Sequence, residues 1–232
     1  GKQLVRWVRL TGGCVADVYR VDFEKGERFV VKAGFAGSGL NQEGGMLEYL
    51  STHTKLPVPK VFYMADDLLI MNYIEAGDPL TSAAQKHAAD LLAALHNITG
   101  DCFGFQKDTV IGALRQPNTW TKNWVDFFRE QRLWYMAGQA VKSGHLSQSL
   151  LSRLEALSTH LDRWLPVPTK ASLVHGDMWR GNVLCKEDRI AGLVDPAIYY
   201  GDPEIELAFS TLFHTFGDSF FSRYQEHRPL AP

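Results

Sequence analysis

Two aspartates and an asparagine stand in a defined order in the second half of the chain. Four residues separate Asp177 from Asn182, and Asp195 follows the apolar run at positions 190–194. An aspartate can take the proton of an attacking hydroxyl, and carboxylate and amide oxygens are ligands that suit Mg²⁺. Kinases place their catalytic base and two metal ligands in this order. The pattern therefore predicts phosphoryl transfer from ATP, with Asp177 as base and Asn182 and Asp195 as Mg²⁺ ligands.

Each of these residues also has a structural interpretation. A His-Gly-Asp sequence is a common turn, and an aspartate after a strand often only caps a helix. The joint pattern, together with a suitable lysine far upstream, favours the catalytic interpretation. His175 is an exception, because a histidine at this position more often braces the loop by donating to the backbone than acts as a base.

The composition is that of a globular protein from a reducing compartment. The 232 residues are 45% hydrophobic with a formal net charge of −2, so neither nucleic acid nor a membrane surface is expected as a partner. Cys14, Cys102 and Cys185 are widely scattered, which argues against disulfides or structural zinc and favours the cytoplasm. No signal peptide or membrane-spanning run is predicted, Gly1 is not expected to be the native start, and the oligomeric state is not indicated.

The first third of the chain has the pattern of an antiparallel sheet. Residues 4–23 alternate in strand fashion with an interruption at 11–14, and residues 27–32 return after a tight turn. Lys32 ends the returning strand. Alone, such a lysine is more often a solvated edge residue, but with the downstream loop it is expected to bind the phosphates of ATP.

A glycine pair precedes the second strand. Without a Cβ, Gly12 and Gly13 let backbone N–H groups approach a phosphate, although paired glycines are equally a hairpin device. Cys14 beside them is either a small semi-buried thiol or a thiol whose oxidation would obstruct ATP. The sequence alone does not decide between these interpretations.

A helix predicted over residues 41–50 would supply the acidic partner of Lys32. Glu43 is the candidate, because a carboxylate on this lysine directs its ammonium toward the α- and β-phosphates. Gly44 and Gly45 follow directly, and each costs a helix about 1 kcal/mol. Glu48 is therefore an alternative partner.

Two further strands are predicted before residue 74, and the second leads into a hinge. Met71 and Tyr73 lie in this hinge segment, whose backbone would meet adenine. The turn at 75–79 is a natural boundary. We therefore assign residues 1–74 to an ATP-binding N-lobe and residues 75–232 to a helical C-lobe with the catalytic and metal-binding loops.

The C-lobe has mostly helical periodicity, at positions 81–97, 120–136, 150–164 and 203–216. Trp179 offers a flat face on which a sugar ring could stack, although a buried tryptophan that braces the loop fits equally well. Glu204 and Glu206 would ordinarily be partners of a helix dipole, and the alternative is that one of them meets a cationic amine.

Several motifs together resemble the fructosamine kinases over nearly the whole chain. The resemblance lies in Thr11-Gly-Gly-Cys14, Val31-Lys32, Leu92-Ala-Ala-Leu-His96, Phe103-Gly104, Trp124-x-x-Phe-Phe128, His175-Gly-Asp-Met-Trp-Arg-Gly-Asn182, Asp195-Pro-Ala-Ile-Tyr-Tyr-Gly201 and Glu204-Ile-Glu-Leu-Ala208. The tryptophan in the catalytic loop and the Tyr199-Tyr200 pair distinguish this family from aminoglycoside phosphotransferases and choline kinases.

The resemblance implies an α+β, bilobal protein-kinase-like fold with an antiparallel-sheet N-lobe and a mostly helical C-lobe. It also implies ATP-dependent phosphorylation of a ketoamine, free or on a glycated lysine, at its 3-hydroxyl. By position, Asp177 is then the base, Lys32 and Glu43 position the phosphates, and Trp179 faces the substrate. The family continues for several more helices, so the C-lobe is expected to be incomplete at its C-terminus.

Two other functions remain open from the sequence. An aminoglycoside or amino-alcohol phosphotransferase would use the same catalytic loop, and a nucleotide-binding pseudokinase would keep the fold without transfer. Retention of the lysine, both aspartates and the asparagine argues against the pseudokinase. No hydrolase motif is present.

Overall fold

A computed structural model describes residues 3–10, 16–165 and 170–230 of the chain. The N-terminal part is a five-stranded antiparallel sheet in the order β1-β2-β3-β5-β4. Its strands are β1 Leu4–Arg9, β2 Asp17–Phe23, β3 Arg28–Ala33, β4 Val61–Met64 and β5 Leu68–Asn72. The predicted antiparallel N-lobe is therefore confirmed. The candidate residues Gly12, Gly13 and Cys14 lie outside the described residues.

Helix α1, Leu40–His53, packs against this sheet. It runs through the two glycines without a break, so their cost to the helix does not interrupt it. Gly44 is buried, and a Cβ there would lie 2.8 Å from the Met64 sulfur and 3.1 Å from Leu69 Cδ1. The glycine allows a close approach of helix and sheet that any side chain would prevent.

The C-terminal part is mainly helical, and its core forms around helix α2, Ser82–His96. The other helices are α3 Trp124–Phe127, α4 Tyr135–Lys142, α5 Gln148–Ser158, α6 Pro203–Leu212 and α7 Asp218–His227. Thr81 caps α2, and Asp202 caps α6 ahead of Pro203 at the first helical position. No helix among the described residues combines the length and hydropathy needed to span a lipid bilayer.

Two small sheets in the C-terminal part hold the ends of the loops that contain Asp177 and Asp195. Strands β6 Thr99–Gly100, β9 Ala171–Val174 and β12 Tyr199–Gly201 form one antiparallel sheet, and β10 Val183–Lys186 pairs with β11 Arg189–Leu193 in the other. The predicted catalytic loop connects β9 to β10, and Asp195 lies between β11 and β12. Both loops are therefore held at each end by buried strands.

A long segment between α2 and β9 completes the C-lobe. It begins with a hairpin of β7 Thr109–Ile111 and β8 Leu114–Gln116, followed by α3, a π-helical stretch at Phe128–Trp134, and α4. The helix predicted over 150–164 ends at Ser158 instead. The apolar residues of this segment do not share one buried face, because Leu150, Leu157 and Trp164 are exposed while Leu161 is buried.

Candidate active site

A cavity of about 320 Å³ lies where the sheet and α1 face the loops of the C-lobe. Most of the polar residues predicted for the site line it. The lining residues are Ala16, Val18, Lys32, Leu40, Glu43, Met46, Val110, Ile111, Gly112, Asp177, Trp179, Asn182, Asp195 and Pro196. Three strands, one helix and several loops that are distant in sequence therefore converge on one space.

Lys32 lies between two carboxylates in this cavity. Its Nζ donates to Glu43 Oε1 at 2.8 Å and to Asp195 Oδ1 at 2.6 Å. Burial lowers the pKa of Lys32, but the charges of the two carboxylates outweigh burial and raise it overall. The lysine is therefore a fixed positive charge between the helix of one lobe and a loop of the other. Glu48 is exposed on the same helix and has no such contact with Lys32.

Asp177 and Asn182 are joined directly across the catalytic loop. Asn182 Nδ2 donates to Asp177 Oδ2 at 2.9 Å and to the Asp177 carbonyl at 2.8 Å. Burial raises the pKa of the Asp177 carboxyl to about 6, and the nearby charge of Asp195 acts in the same direction, whereas the Asn182 hydrogen bond lowers it. A carboxylate with this pKa is suited to accept a proton near neutral pH.

The loop containing Asp177 is tied to the loop containing Asp195. Ala197 N–H donates to the His175 carbonyl at 2.7 Å, and Gly176, with a φ of 86°, passes directly beside Ala197. A Cβ on Gly176 would lie 2.0 Å from the Ala197 carbonyl oxygen, so only glycine fits. His175 is fully buried, and its Nδ1 accepts from the Asp177 N–H at 3.4 Å. His175 therefore braces the loop, as predicted, with Nδ1 as an acceptor and with a backbone hydrogen bond to Val194.

Glu206 holds the catalytic loop in position. The sequence alone instead indicates that Glu206 is a partner of the helix dipole or meets a cationic amine. Its carboxylate accepts the backbone N–H of Gly176 at 2.6 Å and that of His175 at 3.2 Å. The same carboxylate meets His96 Nε2 at 2.8 Å, and the other nitrogen of His96 meets the Tyr224 hydroxyl at 2.7 Å. Glu206 is only 2% exposed, so the suggestion that it meets a cationic amine is wrong.

Trp179 lies at the rim of the cavity. Its side chain is 41% exposed, and its ring lies over Gly181, where a Cβ would approach within 2.4 Å. Its ring centroid is 6.2 Å from that of Phe213. The alternative of a buried tryptophan inside the loop is therefore wrong, and one face of the indole is accessible from the cavity.

The predicted hinge residues do not line the cavity. The Met71 side chain is buried against α1 in a small cluster with Leu40, Leu47 and Leu69. Tyr73 lies under the guanidinium of Arg20, 5.4 Å from the ring centroid, and its N–H donates to the Arg28 carbonyl at 3.1 Å. The cavity therefore includes Lys32 but not the predicted hinge residues.

The oxygens available for a cation are few. Among the described residues no group of three or more acidic, histidine or cysteine side chains forms a metal cluster. Asn182 points its amide nitrogen at Asp177, which leaves its Oδ1 available, and its carbonyl accepts the Val194 N–H at 3.1 Å beside Asp195. Two hard oxygen ligands fit Mg²⁺, which keeps waters and phosphate oxygens in its remaining positions.

Comparisons with known proteins show the family of this chain. The sequence profile described as fructosamine kinase matches residues 2–232. A protein of Synechocystis sp. named as a probable ketoamine kinase is 33% identical over 232 residues, which cover 96% of this chain and 76% of that protein. The chloroplastic protein-ribulosamine 3-kinase of Arabidopsis thaliana is 29% identical over 250 residues, covering 98% of this chain and 71% of that protein.

Solved structures show the same similarity. A Thermobifida fusca protein assigned as a fructosamine-3-kinase has a TM-score of 0.88 at 31% identity, covering 100% of this chain and 82% of that chain. An ADP-bound aminoglycoside phosphotransferase has a TM-score of 0.66 at 20% identity, with coverages of 98% and 79%. At that identity the second similarity concerns the fold alone.

Proposed function

Because this chain belongs to the fructosamine kinase family, it is a phosphotransferase with an alcohol group as acceptor, and we propose that it uses ATP to phosphorylate a ketoamine on its 3-hydroxyl. The observation that carries the proposal is that Lys32, Asp177, Asn182 and Asp195 line one cavity. A base, a cationic phosphate ligand and metal ligands are the groups that phosphoryl transfer requires.

Asp177 is the proposed base. It accepts the proton of the acceptor hydroxyl as that oxygen bonds to the γ-phosphorus and the bond to the leaving ADP oxygen breaks. Asn182 orients the carboxylate through the 2.9 Å hydrogen bond to Oδ2. Positioning of this kind supplies most of the catalysis in phosphoryl transfer.

Lys32 and Glu43 are proposed to hold the phosphates. Glu43 fixes the ammonium from one side at 2.8 Å, so that the lysine presents its remaining N–H groups to the nucleotide. Asn182 and Asp195 would hold Mg²⁺, which neutralises charge on the phosphates.

The acceptor is proposed to bind beside Trp179 and the β7–β8 hairpin residues Val110 to Gly112, which line the cavity. These apolar groups suit the carbon face of a sugar, with its hydroxyls toward Asp177. A glycated lysine side chain can enter the same opening because Trp179 is at the rim.

A reducing compartment such as the cytoplasm is proposed for the protein. Cys102 and Cys185 are free among the described residues, and burial raises the pKa of the Cys185 thiol, which makes it unreactive. The Arabidopsis relative is named as chloroplastic.

Turnover of Mg-ATP with fructosyl-lysine, beside an aminoglycoside, tests the proposal directly. Product NMR locates the phosphate, and Asp177→Asn is the control for catalysis. Transfer to the sugar 3-hydroxyl that collapses in the variant supports the proposed function. Preferential transfer to the aminoglycoside, or ATP binding without transfer to either acceptor, would refute it.

A further inference from the structure

The Tyr199-Tyr200 pair, which the sequence associates with the family, does not line the cavity. Tyr199 is only 4% exposed, and the Arg132 guanidinium lies 4.1 Å from its ring centroid. Tyr199 is also paired with Val174 across β12 and β9. This first tyrosine therefore holds β12 firmly in the C-lobe.

Tyr200 points the other way and reaches the N-lobe helix. Its hydroxyl lies 3.2 Å from the hydroxyl of Tyr49 on α1, within hydrogen-bonding distance. Phe105 packs against both rings, edge-on to Tyr49 at 4.9 Å and stacked on Tyr200 at 6.5 Å between centroids. The backbone of Tyr200 is fixed in turn by two hydrogen bonds with Gly104, at 2.8 Å and 2.9 Å.

The position of α1 matters because this helix carries Glu43. At its N-terminal half α1 is packed against the sheet through Gly44, and at its C-terminal half Tyr49 meets Tyr200, five residues beyond Asp195. The two carboxylates that hold Lys32 therefore belong to elements joined by this tyrosine pair.

We propose that the Tyr49–Tyr200 contact is a positioning device that sets α1 against the Asp195 loop and so fixes the Lys32–Glu43 pair for ATP. This rests on the proposed role of Lys32 in binding phosphate. Neither tyrosine touches the substrate, so both are positioning residues. The phenol hydroxyls, rather than the rings alone, fix the distance between the helix and the loop.

A double-mutant cycle tests the device without the acceptor. The variants are Tyr49→Phe, Tyr200→Phe and the double variant, which keep the rings and remove only hydroxyls. Tyr63→Phe, on the exposed ring of β4, is the matched control. The dissociation constant of a non-hydrolysable ATP analogue with Mg²⁺ is measured by calorimetry at a temperature well below all the unfolding midpoints.

Each single variant should weaken binding of the analogue by about threefold to tenfold, the equivalent of one hydrogen bond. The double variant should be no weaker than either single variant, and Tyr63→Phe should bind as the wild type does. Effects that multiply in the double variant, or a lower unfolding midpoint with unchanged nucleotide affinity, would overturn the proposal.

The same measurement distinguishes failure of the positioning role from failure of the proposed function. If the wild type binds the analogue and the tyrosine variants bind it equally well, only the positioning role fails. If the wild type does not bind the analogue, the proposed function fails and the role of the tyrosine pair fails with it.

Discussion

Asn182 Nδ2 lies 2.9 Å from Asp177 Oδ2, so one candidate metal ligand directly orients the candidate base. The amide nitrogen can only donate, so this hydrogen bond favours the ionised carboxylate and lowers the Asp177 pKa against the larger effect of burial. Its orientation also leaves the amide oxygen facing away from Asp177. The Asn182 side chain thus orients the proton acceptor with its nitrogen and offers its oxygen to a cation.

The pH dependence of catalysis should follow Asp177. Because its pKa is about 6 and the base must be ionised, kcat/KM should fall about tenfold per pH unit below pH 6 and level off above it. Asp177→Asn should lower kcat by about 10²- to 10⁴-fold, the range for loss of a general base. Steady-state kinetics from pH 5 to 8 provide the measurement, with exposed Asp162→Asn as the control. A profile that is flat across pH 6 would contradict the assignment.

The ionised Asp177 carboxylate should lower the free energy of unfolding. A folded pKa raised above the unfolded value of about 3.9 means that Asp177 stabilises the fold only while it is protonated, and this stability is lost as pH rises from about 4 to 6. Asp177→Asn should therefore unfold at a higher temperature than the wild type at pH 7.5. The difference between the two proteins should shrink as the pH is lowered to 4. Scanning calorimetry across this range would contradict the burial of the charge if the variant were less stable at pH 7.5.

Two adjacent glycines of α1 should respond in opposite ways to alanine. Gly44→Ala introduces a methyl 2.9 Å from Met64 Cβ, so it should destabilise the fold by about 1–3 kcal/mol and weaken ATP binding by displacing Glu43. Gly45→Ala meets only the mobile end of Lys107 at 3.2 Å and should stabilise the helix by about 0.5–1 kcal/mol. Urea unfolding of both variants measures the difference. Equal effects would show that α1 does not pack on the sheet as described.

Trp179 should affect the acceptor and not the nucleotide. Trp179→Ala removes an accessible ring beside Asp177, and loss of one stacking contact should raise the ketoamine KM by about 2- to 12-fold while the ATP KM stays unchanged. Trp164→Ala removes an even more exposed tryptophan, 72% accessible, that does not line the cavity. It should leave both constants unchanged. A rise in the ATP KM alone for Trp179→Ala would place the indole on the nucleotide side.

The sequence alone predicts the features that depend on residues close together in the chain. Asp177 and Asn182 lie within one loop, and the antiparallel start of the chain follows from strand alternation, so both were predictable. The helix position of Glu43 was uncertain because the closeness of Gly44 to Met64 and Leu69 exists only in three dimensions. The division of the chain at residue 74 stays a prediction.

Other features could not be predicted because they depend on partners far apart in the chain. A glutamate in the first turn of a helix normally offsets the helix dipole, and nothing near Glu206 indicates its contacts with His96 and the catalytic loop. The apolar spacing at 150–164 indicated a helix, but not which face of it would be buried. The sequence likewise does not indicate that Tyr199 packs within the C-lobe while Tyr200 contacts Tyr49 on α1.

Glu206 should act through the catalytic loop rather than on the nucleotide. Glu206→Gln keeps the shape but replaces one carboxylate oxygen by an NH₂ group, which cannot accept the N–H of His175 or Gly176. Loss of a charged hydrogen bond should destabilise the fold by about 1.5–3 kcal/mol. Because Asp177 follows directly, kcat should fall while the ATP dissociation constant stays within about twofold of the wild type, since nucleotide contacts lie elsewhere. Glu206→Asp, which retains the charge, should recover part of kcat. A variant that loses stability but keeps full kcat at low temperature would show that Glu206 only supports the core.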